Sequence, residues 1–143
     1  MSATKAITNL TPDSVDDRDA LQLIKAARTG ISFSAFENFI KTTPLTLADW
    51  AACLPVSYRT LQRYRESKGP VLLDKSISEK ILEISFLFTR GAVVFGNPDT
   101  FFSWLTTRNM ALGGVAPKEL LDTTFGINML KDELTRIEHG VLA

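Results

Sequence analysis

Reactive side chains are scarce in this 143-residue sequence, which has one cysteine, Cys53, and one histidine, His139. A Cys–His or Ser–His relay would have to use His139 as its base, and neither residue has a recognisable relay partner. One cysteine excludes an intramolecular disulfide, and the two residues together are too few for a structural zinc site. Asp16, Asp17 and Asp19 form an acidic cluster, but acids in the first turn of a helix need no metal to explain them. We therefore predict that the protein is not an enzyme and has no catalytic residue, metal site or cofactor.

Basic side chains form the most distinctive chemical pattern. The 16 Lys and Arg residues balance the 16 Asp and Glu residues over the whole chain. Residues 57–68, however, contain Arg59, Arg63, Arg65 and Lys68 and only one acidic residue, Glu66. Arginine bonds guanine edges in the major groove of DNA and glutamine bonds adenine, whereas hydroxyl groups and further cations bond phosphates. The residues that we predict to contact DNA are Ser57, Tyr58, Arg59, Thr60, Gln62, Arg63, Arg65 and Lys68. A two-helix packing unit with a basic, solvent-exposed face is the alternative interpretation.

The segment that contains these residues has the spacing of a helix-turn-helix. Thr46 and Ser57 predict N-caps for two helices, over 47–54 and 58–66. The small residues Ala51 and Ala52 inside the first helix permit the second helix to cross closely over it. Apolar residues at suitable intervals face the rest of the domain: Trp50, Leu54, Val56, Leu61 and Tyr64. Pro55 occupies the turn, where many such motifs have glycine, and this departure could alter the crossing angle.

The rest of the sequence also predicts helices, about eight in all, and therefore an all-α fold. No segment alternates with period two, and there is no Asn-Gly or Asp-Gly hairpin turn. Two further helices are predicted before the helix-turn-helix: one from near Asp13 or Ser14 to Gly30, with Leu21, Ile24 and Ala27 on one face, and one over 34–41. After it, a helix is predicted from the capping box Ser76-x-x-Glu79 to about Phe95, and short helices are predicted to begin at Asn97-Pro98 and at Pro117. The last predicted helix runs from about Ile127 to His139, with Gly140 as its stop.

Composition divides the chain into three predicted parts. Residues 1–17 are polar and aperiodic, which is typical of a flexible terminus. Lys68-Gly69-Pro70 is the best candidate for a boundary between folded domains. We therefore predict a helix-turn-helix, DNA-binding domain over 18–70 and a small helical domain over 71–143.

Membrane and secretion signals are not found in the sequence. The start of the chain is polar, whereas a secretory signal needs an apolar core. The longest apolar stretch, residues 81–95, is interrupted by polar and charged residues and is too short and too polar to span a bilayer. We therefore predict a soluble, cytoplasmic protein without a membrane partner.

Several short stretches match a known family in order and spacing. They are Arg59-Thr60-Leu61-x-Arg63, Phe95-Gly96, Trp104-Leu105, Ala111-Leu112-Gly113-Gly114 with Pro117 and Leu120-Leu121, and Arg136-Ile137-Glu138-His139-Gly140-Val141. From about Leu21 to Ala143 the chain resembles the Xre/MbcA/ParS-type antitoxins. The final Leu142-Ala143 resembles the family's usual Tyr-Ala ending, with leucine at the aromatic position.

The resemblance implies the antitoxin of a type II toxin–antitoxin system. Its partner would be a RES-domain toxin, which consumes NAD, and residues 71–143 would bind that toxin. The extreme C-terminus would block the toxin's active site, and the residues implied in this contact are Arg136, Glu138, His139, Gly140, Val141, Leu142 and Ala143. The helix-turn-helix would bind operator DNA and repress the operon.

The modest basic charge also predicts self-association. Phosphate contacts dominate non-specific affinity for DNA, so a weakly basic domain should bind DNA poorly as a monomer. We therefore predict a homodimer or a higher assembly. Two other classes compete with the antitoxin: a stand-alone helix-turn-helix regulator whose C-terminal domain only dimerises, and a small catalytic protein that uses His139 or Cys53.

Overall fold

Helices account for all the regular structure in the computed structural model, which describes residues 19–140. Seven α-helices and two 3₁₀ turns lie in this range, together with two isolated β-bridges and no strand. The helices are α1 (Ala20–Thr29), α2 (Phe33–Lys41), α3 (Leu47–Cys53), α4 (Tyr58–Glu66), α5 (Lys75–Phe95), α6 (Pro98–Thr106) and α7 (Thr124–Gly140), and the 3₁₀ turns are Met110–Leu112 and Pro117–Leu120. The predicted all-α fold is confirmed.

Some predictions lie outside the described residues. They concern the flexible segment 1–17, the helix start near Asp13 or Ser14 with Asp16 and Asp17 in its first turn, and the last three residues, Val141, Leu142 and Ala143. Within the described range, none of the helices combines the length and the apolar character that a membrane span requires.

The chain divides into two compact units inside α5. Unit 1 ends at Phe86 and unit 2 begins at Leu87. The predicted boundary at Lys68-Gly69-Pro70 therefore falls inside unit 1.

Hydrogen bonds explain why the segment after Pro70 belongs to unit 1. The Phe33 N–H donates to the Val71 carbonyl at 2.8 Å, and the Leu73 N–H donates to the Ile31 carbonyl at 2.8 Å. The fully buried Ser78 hydroxyl accepts from the Ile31 N–H at 2.9 Å and donates to the Leu73 carbonyl at 3.1 Å. Three of these four bonds join residues about 40 apart in sequence, so a composition change at residue 70 does not detect them.

Unit 1 has an aromatic core around Trp50. The Trp50 ring lies 5.4 Å from the Phe36 ring and 5.6 Å from the Phe39 ring, and all three residues are almost completely buried. Cys53 is also buried, on α3. Burial of these large side chains fixes α2 and α3 relative to each other, and α4 packs against them.

The outer helix α1 differs from its prediction. Its N-cap is Asp19, whose side chain accepts from the Gln22 N–H, so the helix that contains Leu21 begins at Ala20. Leu21 is 72% exposed and Ile24 is 43% exposed, whereas only alanines of this helix are buried. Of the three residues predicted to share one face, only Ala27 is buried, because short side chains rather than long ones form the close packing of this helix.

The start of α5 also corrects a prediction. The helix begins at Lys75, and the Asp74 carboxylate accepts from the Ile77 N–H at 2.9 Å. Asp74 therefore caps the helix, and the predicted cap at Ser76 is wrong because Ser76 already lies inside the first turn. The predicted end is confirmed: Gly96, at φ +91°, follows the last helical residue, Phe95.

Unit 2 packs α5, α6 and α7 around aromatic and branched side chains. Asn97 and Pro98 begin α6 as predicted, and the Asn97 side chain accepts from the Thr100 N–H at 2.8 Å. At Gly91 a Cβ would lie 2.1 Å from the buried Phe101 ring, so this ring fills the space that glycine leaves on α5. The predicted short helix at Pro117 is a 3₁₀ turn, and a further 3₁₀ turn forms at Met110–Leu112.

The last helix starts earlier than predicted. It begins at Thr124 rather than Ile127, because Thr123 accepts from the Gly126 and Ile127 N–H groups, through its hydroxyl and its carbonyl respectively. Gly126 meets the chain so closely that a Cβ there would lie 1.9 Å from the Leu120 carbonyl oxygen. Gly140, predicted as the stop, is the last helical residue.

Candidate functional sites on the helix-turn-helix and the last helix

Each of the two helices of the helix-turn-helix begins at an N-cap. The Thr46 hydroxyl accepts from the Asp49 N–H at 3.1 Å, and the Asp49 carboxylate accepts from the Thr46 N–H at 2.9 Å, which completes a capping box for α3. The Ser57 hydroxyl accepts from the Thr60 N–H at 3.1 Å and caps α4. Both predicted caps are confirmed, so local sequence fixes where α3 and α4 begin.

The turn between α3 and α4 is tight even though it contains proline. The Val56 N–H donates to the Leu54 carbonyl at 2.8 Å, which closes a three-residue turn centred on Pro55. Pro55 is exposed, and the N–H that proline lacks is not needed for this bond. The turn therefore forms without the glycine that many helix-turn-helix motifs have at this place.

The inner face of α4 holds the helix against unit 1. Leu61 is completely buried, and the half-buried Tyr64 lies 5.9 Å from the Phe33 ring in an edge-on arrangement. Ala51 of α3 is half-buried and Ala52 is exposed, so only the first of these two alanines shares in the packing. Because Leu61 fixes the rotation of α4, the opposite face of this helix must point to solvent.

That opposite face carries the predicted base-reading side chains. Arg59, Gln62 and Arg63 are exposed and lie at positions i, i+3 and i+4 of one helix face. Tyr58, at the first turn, is 45% exposed, and the neighbouring Ser57 is also exposed. In helix-turn-helix proteins the N-terminal residues of the second helix contact base edges. The first turns of α4 therefore have the side chains and the exposure that such a contact requires.

The predicted DNA-contacting residues are not equivalent. The Arg65 guanidinium forms an ion pair with Glu37 of α2, so its charge is partly balanced within unit 1. Thr60 is half-buried, and its hydroxyl is 2.9 Å from that of Ser57. Lys68 lies beyond the end of α4 and is exposed. Arg59, Gln62 and Arg63 thus form the centre of the candidate site, and Arg65 lies at its edge.

The second candidate site is the exposed end of α7. Arg136, Glu138, His139 and Gly140 are all exposed, and they precede the three residues outside the described range. The Arg136 Nε and Nη2 atoms donate to the Glu133 Oε1 atom at 2.9 and 2.6 Å. Glu133 is only 7% exposed, so Arg136 supplies the positive charge that a buried carboxylate requires.

A second set of contacts ties the last turn of α7 to α5. The Arg90 Nη2 atom donates to the Thr135 hydroxyl at 2.7 Å and to the Glu138 Oε1 atom at 3.4 Å. The His139 Nε2 atom lies 3.5 Å from the same Glu138 oxygen. These contacts hold the end of the helix in place, and they leave the imidazole 75% exposed.

Two residues of this region escape prediction from the sequence. Phe125 precedes the predicted helix, although it lies in the first turn of α7 and is 89% exposed. Glu133 is a buried acid that no sequence pattern indicates. Thr123 is the signal that could identify the earlier start, because threonine is a favoured N-cap residue. The i, i+3 spacing of Glu133 and Arg136 indicates an ion pair but not its burial.

These features define a helix-turn-helix protein with a second helical unit. Residues 22–84 match the antitoxin Xre-like helix-turn-helix domain, and residues 90–140 match the antitoxin Xre/MbcA/ParS C-terminal toxin-binding domain. The chain belongs to the Xre/MbcA/ParS-type antitoxins. No curated protein matches it.

Membership confirms the predicted class: an antitoxin whose partners are a cognate toxin and DNA. Neither matched domain belongs to an enzymatic family. The two matches end and begin on either side of the division at Phe86 and Leu87, in agreement with the compact units. A stand-alone regulator would explain the helix-turn-helix but not the match of residues 90–140 to a toxin-binding domain.

Proposed function

We propose that this antitoxin neutralises a RES-type, NAD-degrading toxin by placing its C-terminus in the toxin's active site. The observation that carries the proposal is the exposed end of α7, inside the matched toxin-binding domain and directly before the last three residues. Arg90 fixes the end of this helix through Thr135 and Glu138. Binding of residues 141–143 in a cleft would fix only three residues, so its cost in conformational entropy would be low.

The chemistry of the chain end suits a cleft. Val141 and Leu142 supply apolar contacts, while Arg136, Glu138 and His139 supply polar ones. The residues that we assign to the toxin contact are therefore those from Arg136 to Ala143 that were predicted above.

We further propose that the helix-turn-helix represses the antitoxin's own operon in the cytoplasm. Arg59, Gln62 and Arg63 would read base edges, and Ser57, Tyr58 and Lys68 would bond phosphates. Thr60 and Arg65 would contribute from the edge of the site. Because residues 57–68 supply few cations, we propose that a homodimer or a higher assembly gathers enough phosphate contacts for tight binding.

A truncation tests the neutralisation. A chain that ends at Gly140 keeps every described residue, so its fold should be retained. When co-expressed with a cognate RES-type toxin, it should protect cells less well than the full chain, and cellular NAD should fall. Full growth and unchanged NAD with the truncated chain would contradict the proposal.

Two further variants extend this test, the first as a second change of the chain end and the second as a control. Val141→Ser with Leu142→Ser keeps the length of the chain and should also weaken neutralisation, because only the apolar side chains are removed. Arg59→Ala with Arg63→Ala should neutralise fully, because both residues lie on α4 of unit 1. Arg136→Ala is less informative, since it also removes the ion pair of the buried Glu133.

A further inference from the structure

A row of exposed side chains runs along α7 toward the chain end. On this helix the completely buried residues Ile127, Leu130 and Leu134 define the inner face. The exposed residues at i, i+4, i+7 and i+11 lie on the opposite side and form a row that we call the α7 stripe: Phe125, Met129, Asp132 and Arg136. Gly140, four residues after Arg136, continues it.

The N-terminal part of the α7 stripe is apolar. Phe125 is 89% exposed and Met129 is 40% exposed. A phenylalanine side chain buries a large apolar area when it is covered, and aromatic side chains with methionine are enriched at the centres of protein interfaces. A nearly bare phenylalanine beside an exposed methionine therefore indicates a surface that a protein partner covers.

The backbone beneath Phe125 is rigidly placed. Thr123 accepts from the Gly126 and Ile127 N–H groups, at 2.9 and 3.0 Å. Gly126 packs directly against the Leu120 carbonyl, because its missing Cβ would lie only 1.9 Å from that oxygen. The first turn of α7 is held before any partner arrives, and preorganisation of this kind lowers the cost of binding.

The chain end alone is small for a stable protein complex. Stable interfaces typically involve about 20–30 residues on each partner, and the segment from Gly140 to Ala143 is much shorter than that. The α7 stripe lies in the matched toxin-binding domain, and its last member, Arg136, is already assigned to the toxin contact. The stripe therefore continues the proposed contact along the helix.

We propose that the α7 stripe is the docking surface for the cognate toxin, with Phe125 and Met129 as its apolar anchor. The toxin would cover these side chains with an apolar depression beside its active-site cleft. Asp132 and Arg136 would lie at the polar edge, next to the inserted tail. This assignment rests on the proposed neutralisation and adds a second contact that holds the toxin while the tail blocks it.

Substitution of the anchor tests the proposal. Phe125→Ala with Met129→Ala in the full chain should raise the Kd for the purified RES-type toxin by about tenfold or more, as truncation of central anchors does in other interfaces. Met110→Ala is the matched control, since Met110 is 88% exposed in the same unit but lies off α7, and its Kd should stay within about twofold of the wild-type value. Circular dichroism should show unchanged helix content in all variants.

The outcomes separate this inference from the proposed function. If the wild-type chain does not bind the toxin, the proposed neutralisation itself fails. If wild type binds and the double variant binds equally well, the α7 stripe is not the anchor. An equal reduction of affinity in the Met110 variant, or a change of oligomeric mass with unchanged toxin affinity, would also overturn the assignment, the latter in favour of a contact between antitoxin copies.

Footprinting gives a test that needs no substitution. Hydroxyl radicals oxidise exposed phenylalanine and methionine side chains, and mass spectrometry locates the products. Modification of Phe125 and Met129 should decrease when the toxin is bound. Equal modification in the free and the toxin-bound antitoxin would overturn the proposal.

Discussion

The arginines near the end of the helix-turn-helix differ in what surrounds them, although the sequence presents them as one basic cluster. Arg59 and Arg63 are exposed on the face of α4 that lies opposite the buried Leu61. Arg65 lies toward α2, where Glu37 pairs with it. A guanidinium that already has a carboxylate partner gains less from a phosphate, because it must give up or share that partner.

This difference gives a prediction at the scale of single residues. Arg59→Ala with Arg63→Ala should weaken binding to operator DNA and flatten its salt dependence, by about 0.9 in the log–log slope for each phosphate that the variant no longer neutralises. Arg65→Ala should weaken binding less, and removal of its exposed ion pair should change stability by only about 0–1 kcal/mol. Fluorescence anisotropy with a promoter fragment at several salt concentrations measures the DNA affinities, and urea unfolding measures the stability. If Arg65→Ala and the single variant Arg59→Ala reduced DNA affinity equally, the ion pair with Glu37 would not lower the contribution of Arg65 to DNA binding.

At the scale of helices, Gly126 permits the close approach of α7 to the preceding 3₁₀ turn. Gly126 lies in the first turn of α7, and Gly140 is the last residue of the same helix. An added Cβ at Gly126 would clash with the Leu120 backbone, whereas none of the described atoms lies within 4 Å of a Cβ added at Gly140. The same change at the two positions therefore separates packing from helix propensity.

We predict opposite outcomes for these two substitutions. Gly126→Ala should destabilise the protein by about 1–3 kcal/mol or more, since a backbone carbonyl cannot move aside as a side chain can. Gly140→Ala should leave stability unchanged or raise it by up to about 1 kcal/mol, because alanine has the higher helix propensity. Urea unfolding followed by circular dichroism measures both. A stable Gly126→Ala variant would mean that the 3₁₀ turn at Pro117–Leu120 is free to shift.

At the scale of the whole molecule, the sequence predicted best what depends on neighbours within one turn. The caps at Thr46, Ser57 and Asn97 are confirmed because each bonds an N–H three residues later. The packing of the segment after Pro70 into unit 1 depends instead on bonds between distant residues, such as those of Ser78, whose hydroxyl joins Ile31 to Leu73. Nothing in the local pattern around Ser78 indicates bonds to a segment so far away in sequence.

The candidate sites follow the same distinction. The exposed face of α4 could be predicted, because the apolar Leu61 and the polar residues around it have helical spacing. The pairing of Arg65 with Glu37 and the exposure of Phe125 could not, since both depend on how separate segments pack. The family motifs predicted a toxin contact at the chain end but gave no indication of the α7 stripe that precedes it.

Self-association is the property of the whole molecule that the DNA site depends on. Helix-turn-helix dimers place their two recognition helices about 34 Å apart, so that each enters a major groove on the same side of the duplex. We predict that the antitoxin has at least twice the mass of one 15.8 kDa chain in solution and protects two half-sites of its operator. Light scattering and footprinting measure these two quantities.

Inserting about 5 base pairs between the half-sites turns them to opposite sides of the duplex and should reduce the affinity to that of a single half-site. A control insertion of about 10 base pairs restores the phase and should recover part of the binding. Equal affinity for one half-site and for the intact operator would show that a monomer binds, and that the cations of residues 57–68 suffice alone.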